Sequence, residues 1–183
     1  IFLLAFLVSP SEVGAYFICL RLAETLMFFS SVSYYIWGGE ISNLIQEGRS
    51  GEAQDILKKS SQICITTTFF MTCLLWSFAE EILFFLNESF VEHVFIFKAS
   101  LLVYFLKGSV GMLHPMYYIL GQQAFLAKLQ WTLGIIFTAL VILTVPIFGL
   151  KACIFSLAAC EGFYIIITAY RLKISHNFSI FPI

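Results

Sequence analysis

The chain has 183 residues, of which 60% are hydrophobic and 11% are charged, and its formal net charge is −1. Soluble globular domains carry charge on about a quarter of their residues, so this composition excludes a soluble domain and indicates an integral membrane protein. The only basic cluster is the adjacent pair Lys58 and Lys59. We therefore predict no nucleic-acid partner.

The chain opens with an apolar run, residues 1–8, that is too short to span a bilayer and has no initiator Met. We interpret the run as the tail of a truncated helix and the chain as a fragment of a longer protein. A turn at residues 9–12 follows. Within it, Ser11 is the predicted N-cap of the next helix.

Residues 13–37 are long enough to cross the hydrocarbon core, yet they contain Arg21 and Glu24 near their middle. Apolar side chains in this stretch favour insertion by about 3 to 6 kcal/mol, and the two charges cost about 5 to 7 kcal/mol. The charges lie three positions apart on one helix face, which we expect to face other helices or a hydrated cavity. At helical spacing the same face includes Phe28, Ser31 and Tyr35.

A polar segment, residues 40–60, follows two glycines that we expect to loosen the helix end. Its pattern indicates short amphipathic helical pieces in an interfacial loop, broken at residues 48–51. Four more spans are predicted at residues 61–79, 95–120, 129–145 and 152–170. Pro115 is expected to kink the second of these, and Pro146 with Gly149 to close the third.

The predicted fold class is therefore all-α, a polytopic transmembrane helix bundle with one partial and five full spans over residues 1–173. Residues 174–183 form the predicted cytoplasmic tail. Lys and Arg concentrate on one side of the bundle, which the positive-inside rule makes cytoplasmic together with the C-terminus. These residues are Arg49, Lys58, Lys59, Lys128, Arg171 and Lys173.

Five charged or histidine residues lie within the predicted spans and away from their ends, where charges are costly and tend to mark substrate or proton routes. Arg21, Lys107 and His114 are the candidate substrate-binding residues, and Glu24 and Glu161 are candidates for ion coupling. The alternative is structural: Arg21 pairs internally with Glu24, Lys107 snorkels to the interface, and Glu161 is a hydrogen-bonded bundle residue.

A polar stripe on one helix strengthens the functional interpretation. Lys107, Gly111, His114 and Tyr118 follow one another at spacings of four, three and four, so they are predicted to share a face. Lys98, near the other end of this span, is predicted to anchor the helix at the membrane interface.

Catalytic motifs are lacking in the sequence, and we predict no catalytic residues, no metal site and no cofactor, so the protein is not expected to be an enzyme. The five cysteines all lie in apolar segments without a CxxC motif and are interpreted as packing residues.

Five segments, in order, resemble the second half of polysaccharide flippases of the multidrug/oligosaccharidyl-lipid/polysaccharide exporter superfamily. Residues 13–24 (VGAYFICLRLAE) resemble the family's VGxYxxAxRLA helix opening, and residues 40–60 resemble the amphipathic loop that follows it. The other three are residues 81–90 (EILFFLNESF), 117–135 (YYILGQQAFLAKLQWTLGI) and 145–159 (VPIFGLKACIFSLAA). The sequence departs from the family pattern at Gly38, Gly39, Asn87 and Lys151.

The resemblance implies that this chain is most of the second six-helix lobe of a two-lobe flippase in the bacterial inner membrane. The implied substrate is a polyprenyl-pyrophosphate-linked glycan such as an O-antigen repeat unit, and the implied partners are membrane lipid and the N-terminal lobe of the same protein. The resemblance also places Arg21 at the arginine position of the family's helix-opening motif. Two alternatives remain open: a cation-coupled multidrug exporter of the same superfamily, and a membrane polymerase or ligase of lipid-linked sugars.

Overall fold

The fold is described by a computed structural model, in which residues 4–6 and 8–176 can be described. These residues form helices joined by short connections, as the all-α prediction requires. The α-helices are α1 (Pro10–Glu24), α2 (Met27–Gln46), α3 (Ser50–Ser77), α4 (Ala79–Leu86), α5 (Val94–Ser109), α6 (Leu113–Ile119), α7 (Gln123–Phe148) and α8 (Leu150–His176). Leu4–Phe6 and Glu88–His93 form 3₁₀ helices.

Four helical segments are long and apolar enough to cross a membrane, and five if the bent pair α3 and α4 counts as one span. The described residues are therefore all-helical, and their long apolar helices are those of a multi-pass membrane protein by length and composition. The predicted count of one partial plus five full spans stays a prediction, because half of the apolar run at residues 1–8 lies outside the described residues.

The first span begins at Ser9 rather than at the predicted Ser11. The Ser9 hydroxyl accepts a hydrogen bond from the Glu12 backbone, and the Glu12 carboxylate accepts one from the Ser9 backbone at 3.0 Å. This is a capping box, and Pro10 suits the first helical position because that position needs no N–H partner. Ser11 was thus the wrong N-cap.

The first span is also broken and longer than predicted. α1 ends at Glu24, α2 begins at Met27, and α2 continues through Gly38 and Gly39 to Gln46. The expected loosening at the glycines was wrong. A Cβ at Gly38 would lie 2.8 Å from the Tyr34 ring, so this helical position favours glycine. Two glycines in a helix cost only about 1 to 2 kcal/mol relative to alanine.

The predicted interfacial loop is instead continuous with the membrane helices. Only residues 47–49 interrupt the helical path, with Gly48 at a φ of 76°, and α3 then runs without a break from Ser50 to Ser77. The predicted break near Gly48 is therefore confirmed, but the separation of the helical pieces from the membrane helices was wrong, because no Gly or Pro follows Gly51 to stop the helix.

The interruption predicted at Pro115 is present one turn before the proline, whereas the predicted end of the following span at Pro146 was wrong. The break between α5 and α6 lies at residues 110–112, with Gly111 at a φ of 49°, rather than at Pro115 itself. A proline ring clashes with the carbonyl four residues earlier, which is that of Gly111, so the chain yields one turn before Pro115. α7 continues through Pro146 to Phe148, and Gly149 at a φ of 64° ends it.

Two apolar cores lie at opposite ends of the bundle. One core joins α1, α5 and the start of α8 around Tyr16, Phe97 and Cys153. The other joins α2, α3, α6 and the end of α8, with Tyr117 and Leu172 fully buried. Lys107 and Glu161 lie between these cores along α5 and α8, so the polar site occupies the middle of the bundle.

Candidate functional site

An ion pair joins two helices in the middle of the bundle. The Lys107 Nζ of α5 donates to the Glu161 Oε1 of α8 at 2.8 Å, and their side chains are 32% and 20% exposed. Each charge lies near the middle of an apolar region, where an unpaired charge is costly. The contact of Glu161 with Lys107 is compatible with both interpretations of Glu161, a hydrogen-bonded bundle residue and an ion-coupling carboxylate.

A cleft of about 440 Å³ opens beside this ion pair. His114 Nδ1 lies 3.0 Å from the Tyr164 hydroxyl, and the His114 ring stacks on Tyr118 with a centroid distance of 5.4 Å. Lys107, His114, Glu161 and Tyr164 all line the cleft. The cleft thus combines a cation, a carboxylate, an imidazole and a phenol, which together offer both donors and acceptors to a polar ligand.

Two broken spans cross next to the cleft. A Cβ placed on Gly108 of α5 would lie 3.2 Å from the Leu26 carbonyl oxygen, in the break between α1 and α2, and 3.0 Å from Thr68 Cγ2 of α3. Gly108 is the second-last residue of α5, two positions before the break between α5 and α6. Thr25 and Leu26 keep helical φ and ψ in the turn between α1 and α2, whereas Gly111 at a φ of 49° makes the break after α5 irregular. Irregular backbone at membrane depth is tolerated where protein buries it, and Gly111 is buried.

Arg21 and Glu24 form a second ion pair, on the bundle surface. Arg21 Nη1 donates to Glu24 Oε2 at 2.6 Å, and the side chains are 62% and 45% exposed. The Arg21 guanidinium also lies 5.0 Å from the centre of the Phe17 ring. The internal pairing that the sequence predicts is present, but the described bundle does not enclose it.

Tyr104 of α5 lies beside the enclosed ion pair, with Lys107 Nζ 5.5 Å from the centre of its ring. Lys107 directly precedes Gly108, and Glu24 lies two positions before Leu26. The two ion pairs therefore flank the close approach of Gly108 to Leu26.

The predicted polar stripe is correct only in part. Lys107 and His114 line the cleft and Tyr118 stacks on His114, but Gly111 is buried, with its missing Cβ 3.1 Å from the Cys64 sulfur. The break at residues 110–112 rotates Gly111 away from the face that a continuous helix would give it. Sequence reasoning also missed Tyr104 and Tyr164, although each lies three positions from a candidate charge.

The described residues contain no group of His, Cys, Asp or Glu side chains that is able to hold a metal ion. No known protein family, curated protein or solved structure matches the chain. The flippase resemblance therefore stays a prediction that rests on the sequence motifs, and the site must be interpreted from its own chemistry.

Proposed function

We propose that this chain forms one lobe of a membrane transporter that flips polyprenyl-pyrophosphate-linked glycan units across the bacterial inner membrane by alternating access. One observation supports the proposal: two interrupted membrane helices approach each other closely at Gly108 and Leu26, and an ion pair lies next to each of these residues. Broken helices at membrane depth, with charged groups beside the break, are typical of transporter substrate sites.

The chemistry of the charged face fits an anionic substrate. Arg21 presents a planar donor fork on an exposed face, and a guanidinium suits bidentate contact with phosphate oxygens. Glu24 shields this charge when no substrate is bound, which lowers the cost of placing it at membrane depth. Lys107, paired with Glu161, supplies a second and more enclosed cation.

Residues 28, 31 and 35 extend the exposed face along α2. Phe28 and Tyr35 are 65% and 83% exposed, and Ser31 is exposed between them. In the proposed protein this face borders the passage, opposite the N-terminal lobe, and aromatic rings beside polar groups suit a sugar substrate.

The test uses the complete parent protein in a bacterium whose own flippase gene is deleted, with surface glycan as the readout. We expect Arg21→Ala to reduce export at least about tenfold at matched membrane levels, because a charge-assisted hydrogen bond contributes about 1.5 to 3 kcal/mol. Arg21→Lys should retain part of the activity.

Arg49→Ala is the matched control, because Arg49 pairs with Glu52 at 2.6 Å with the same three-residue spacing and similar exposure, but lies at the turn before α3. Normal export by Arg21→Ala would overturn the proposed role of Arg21. Failure of the unmodified parent to restore glycan, together with restored resistance to toxic cations, would favour the multidrug exporter instead.

A further inference from the structure

A second, apolar groove lies between α3 and α5, away from the charged face. Its volume is about 320 Å³, and Phe69, Trp76 and Phe105 contribute most of its aromatic surface. The Phe69 and Phe105 rings pack edge to face, with a distance of 6.3 Å between their centroids. The proposed function does not use this groove.

The groove opens on the surface of the described bundle rather than toward its interior. Phe70 and Leu74 on α3 and Leu106 on α5, which flank it, are each about half exposed or more. The lining is mostly aromatic and aliphatic, so an apolar occupant removes its surface from water or from polar headgroups. A flexible hydrocarbon chain is the occupant that this apolar lining and this volume of about 320 Å³ suit.

A lysine stands at one end of the groove. Lys98 Nζ lies 5.7 Å from the centre of the Trp76 ring and 3.9 Å from Glu80 Oε1. Lys98 is in the first turns of α5 and Glu80 in the first turn of α4, so both are at the end of the spans that the charge distribution places outside. Trp and Lys together at a span end are typical of the headgroup level of a bilayer.

The contact between Lys98 and Glu80 leaves the lysine available to an anion. The distance of 3.9 Å is at the limit for an ion pair, and the Glu80 side chain is 68% exposed. A phosphate that replaces this distant, hydrated carboxylate would gain a charge-assisted hydrogen bond at modest cost. The other face of the Lys98 ammonium already lies against Trp76.

We propose that this groove is a binding site for an anionic glycerophospholipid of the outer leaflet, with one acyl chain along Phe69 and Phe105 and the phosphate at Lys98. The site is independent of the proposed transport function. It differs from general lipid contact in its preference for an anionic headgroup.

Cys73 provides a local reporter, because it lines the groove and is the exposed cysteine while the other four are buried. The whole chain, labelled at Cys73 with a bimane fluorophore, is placed in nanodiscs of phosphatidylcholine that contain increasing fractions of lipid with brominated chains. Bromine quenches the fluorophore only on contact, so the titration reports occupancy of the groove. Cys73→Ser should abolish the signal.

We expect brominated phosphatidylglycerol to quench at a several-fold lower fraction than brominated phosphatidylcholine, about fivefold for one surface lysine. Lys98→Gln should abolish this difference and Lys98→Arg should keep it. Lys151→Gln is the matched control, because Lys151 also lies against an aromatic ring near an outer end, 5.3 Å from the centre of Phe95. Equal quenching by the two lipids in the unmodified chain, or an unchanged preference in Lys98→Gln, would overturn the proposal.

Discussion

Replacement of Gly108 by alanine tests the crossing of the two broken spans. In a helix with free space, Gly→Ala stabilises the folded state by about 0.5 to 1 kcal/mol. At Gly108 the new methyl group would lie 3.0 Å from Thr68 Cγ2 and 3.2 Å from the Leu26 carbonyl oxygen. Overpacking of this kind costs about 1 to 3 kcal/mol, so we expect a net destabilisation of about 1 to 2 kcal/mol.

The assay is reversible unfolding by SDS in mixed micelles, followed by loss of helical circular dichroism. Gly39→Ala in α2 is the control, because nothing lies within 4 Å of its added Cβ, and it should be neutral or stabilising. Thr68→Ser removes the nearest methyl group and should recover part of the loss in Gly108→Ala, which a double-mutant cycle measures. Gly108→Ala as stable as Gly39→Ala would refute the close crossing.

Three further predictions follow from side-chain contacts. Lys107→Met and Glu161→Gln should each lower the free energy of unfolding by about 1 to 3 kcal/mol, because each leaves an unpaired charge. The double variant should lose less free energy of unfolding than the two single losses added together. Tyr117→Phe removes a buried hydrogen bond of 2.6 Å to the α8 backbone and should cost about 1 to 2 kcal/mol by thermal unfolding, whereas Tyr118→Phe on the surface should cost little. A lipid-soluble maleimide should label the native protein once, at Cys73, and mass spectrometry of the digested protein identifies the labelled site. Labelling at a buried cysteine would contradict the packing.

The helical class and the membrane character follow directly from composition and apolar length, and the structure agrees with both. The ion pair between Arg21 and Glu24 was also predictable, because residues three positions apart lie on one face of a helix. Helix ends were less predictable. Gly38, Gly39 and Pro146 are signals of interruption, yet α2 continues through both glycines and α7 continues two residues past Pro146.

The partnership of Lys107 with Glu161 was beyond the sequence, because the two residues are 54 positions apart and their contact depends on how α8 crosses α5. The sequence also did not show where the helix breaks before Pro115. The break keeps Lys107 and His114 on the cleft but places Gly111 against Cys64 of α3. Tertiary packing decides such details, and periodicity along one helix does not contain them.

The central claim is that the exposed face with Arg21 borders a hydrated passage. The most direct measurement compares Ser31→Cys on that face with Ile63→Cys on α3, both in a Cys73→Ser background of the complete parent protein. The two positions lie at similar depth, because the Cys64 sulfur lies 3.9 Å from the Phe29 carbonyl oxygen, and both are exposed in the described bundle.

Intact membranes are treated with a charged, membrane-impermeant methanethiosulfonate, and labelled protein is quantified. If the face borders a passage, the reagent should modify position 31 rapidly and position 63 almost not at all, because lipid should exclude it there. Equal resistance of both positions would mean that lipid or protein covers the face, and it would contradict the passage.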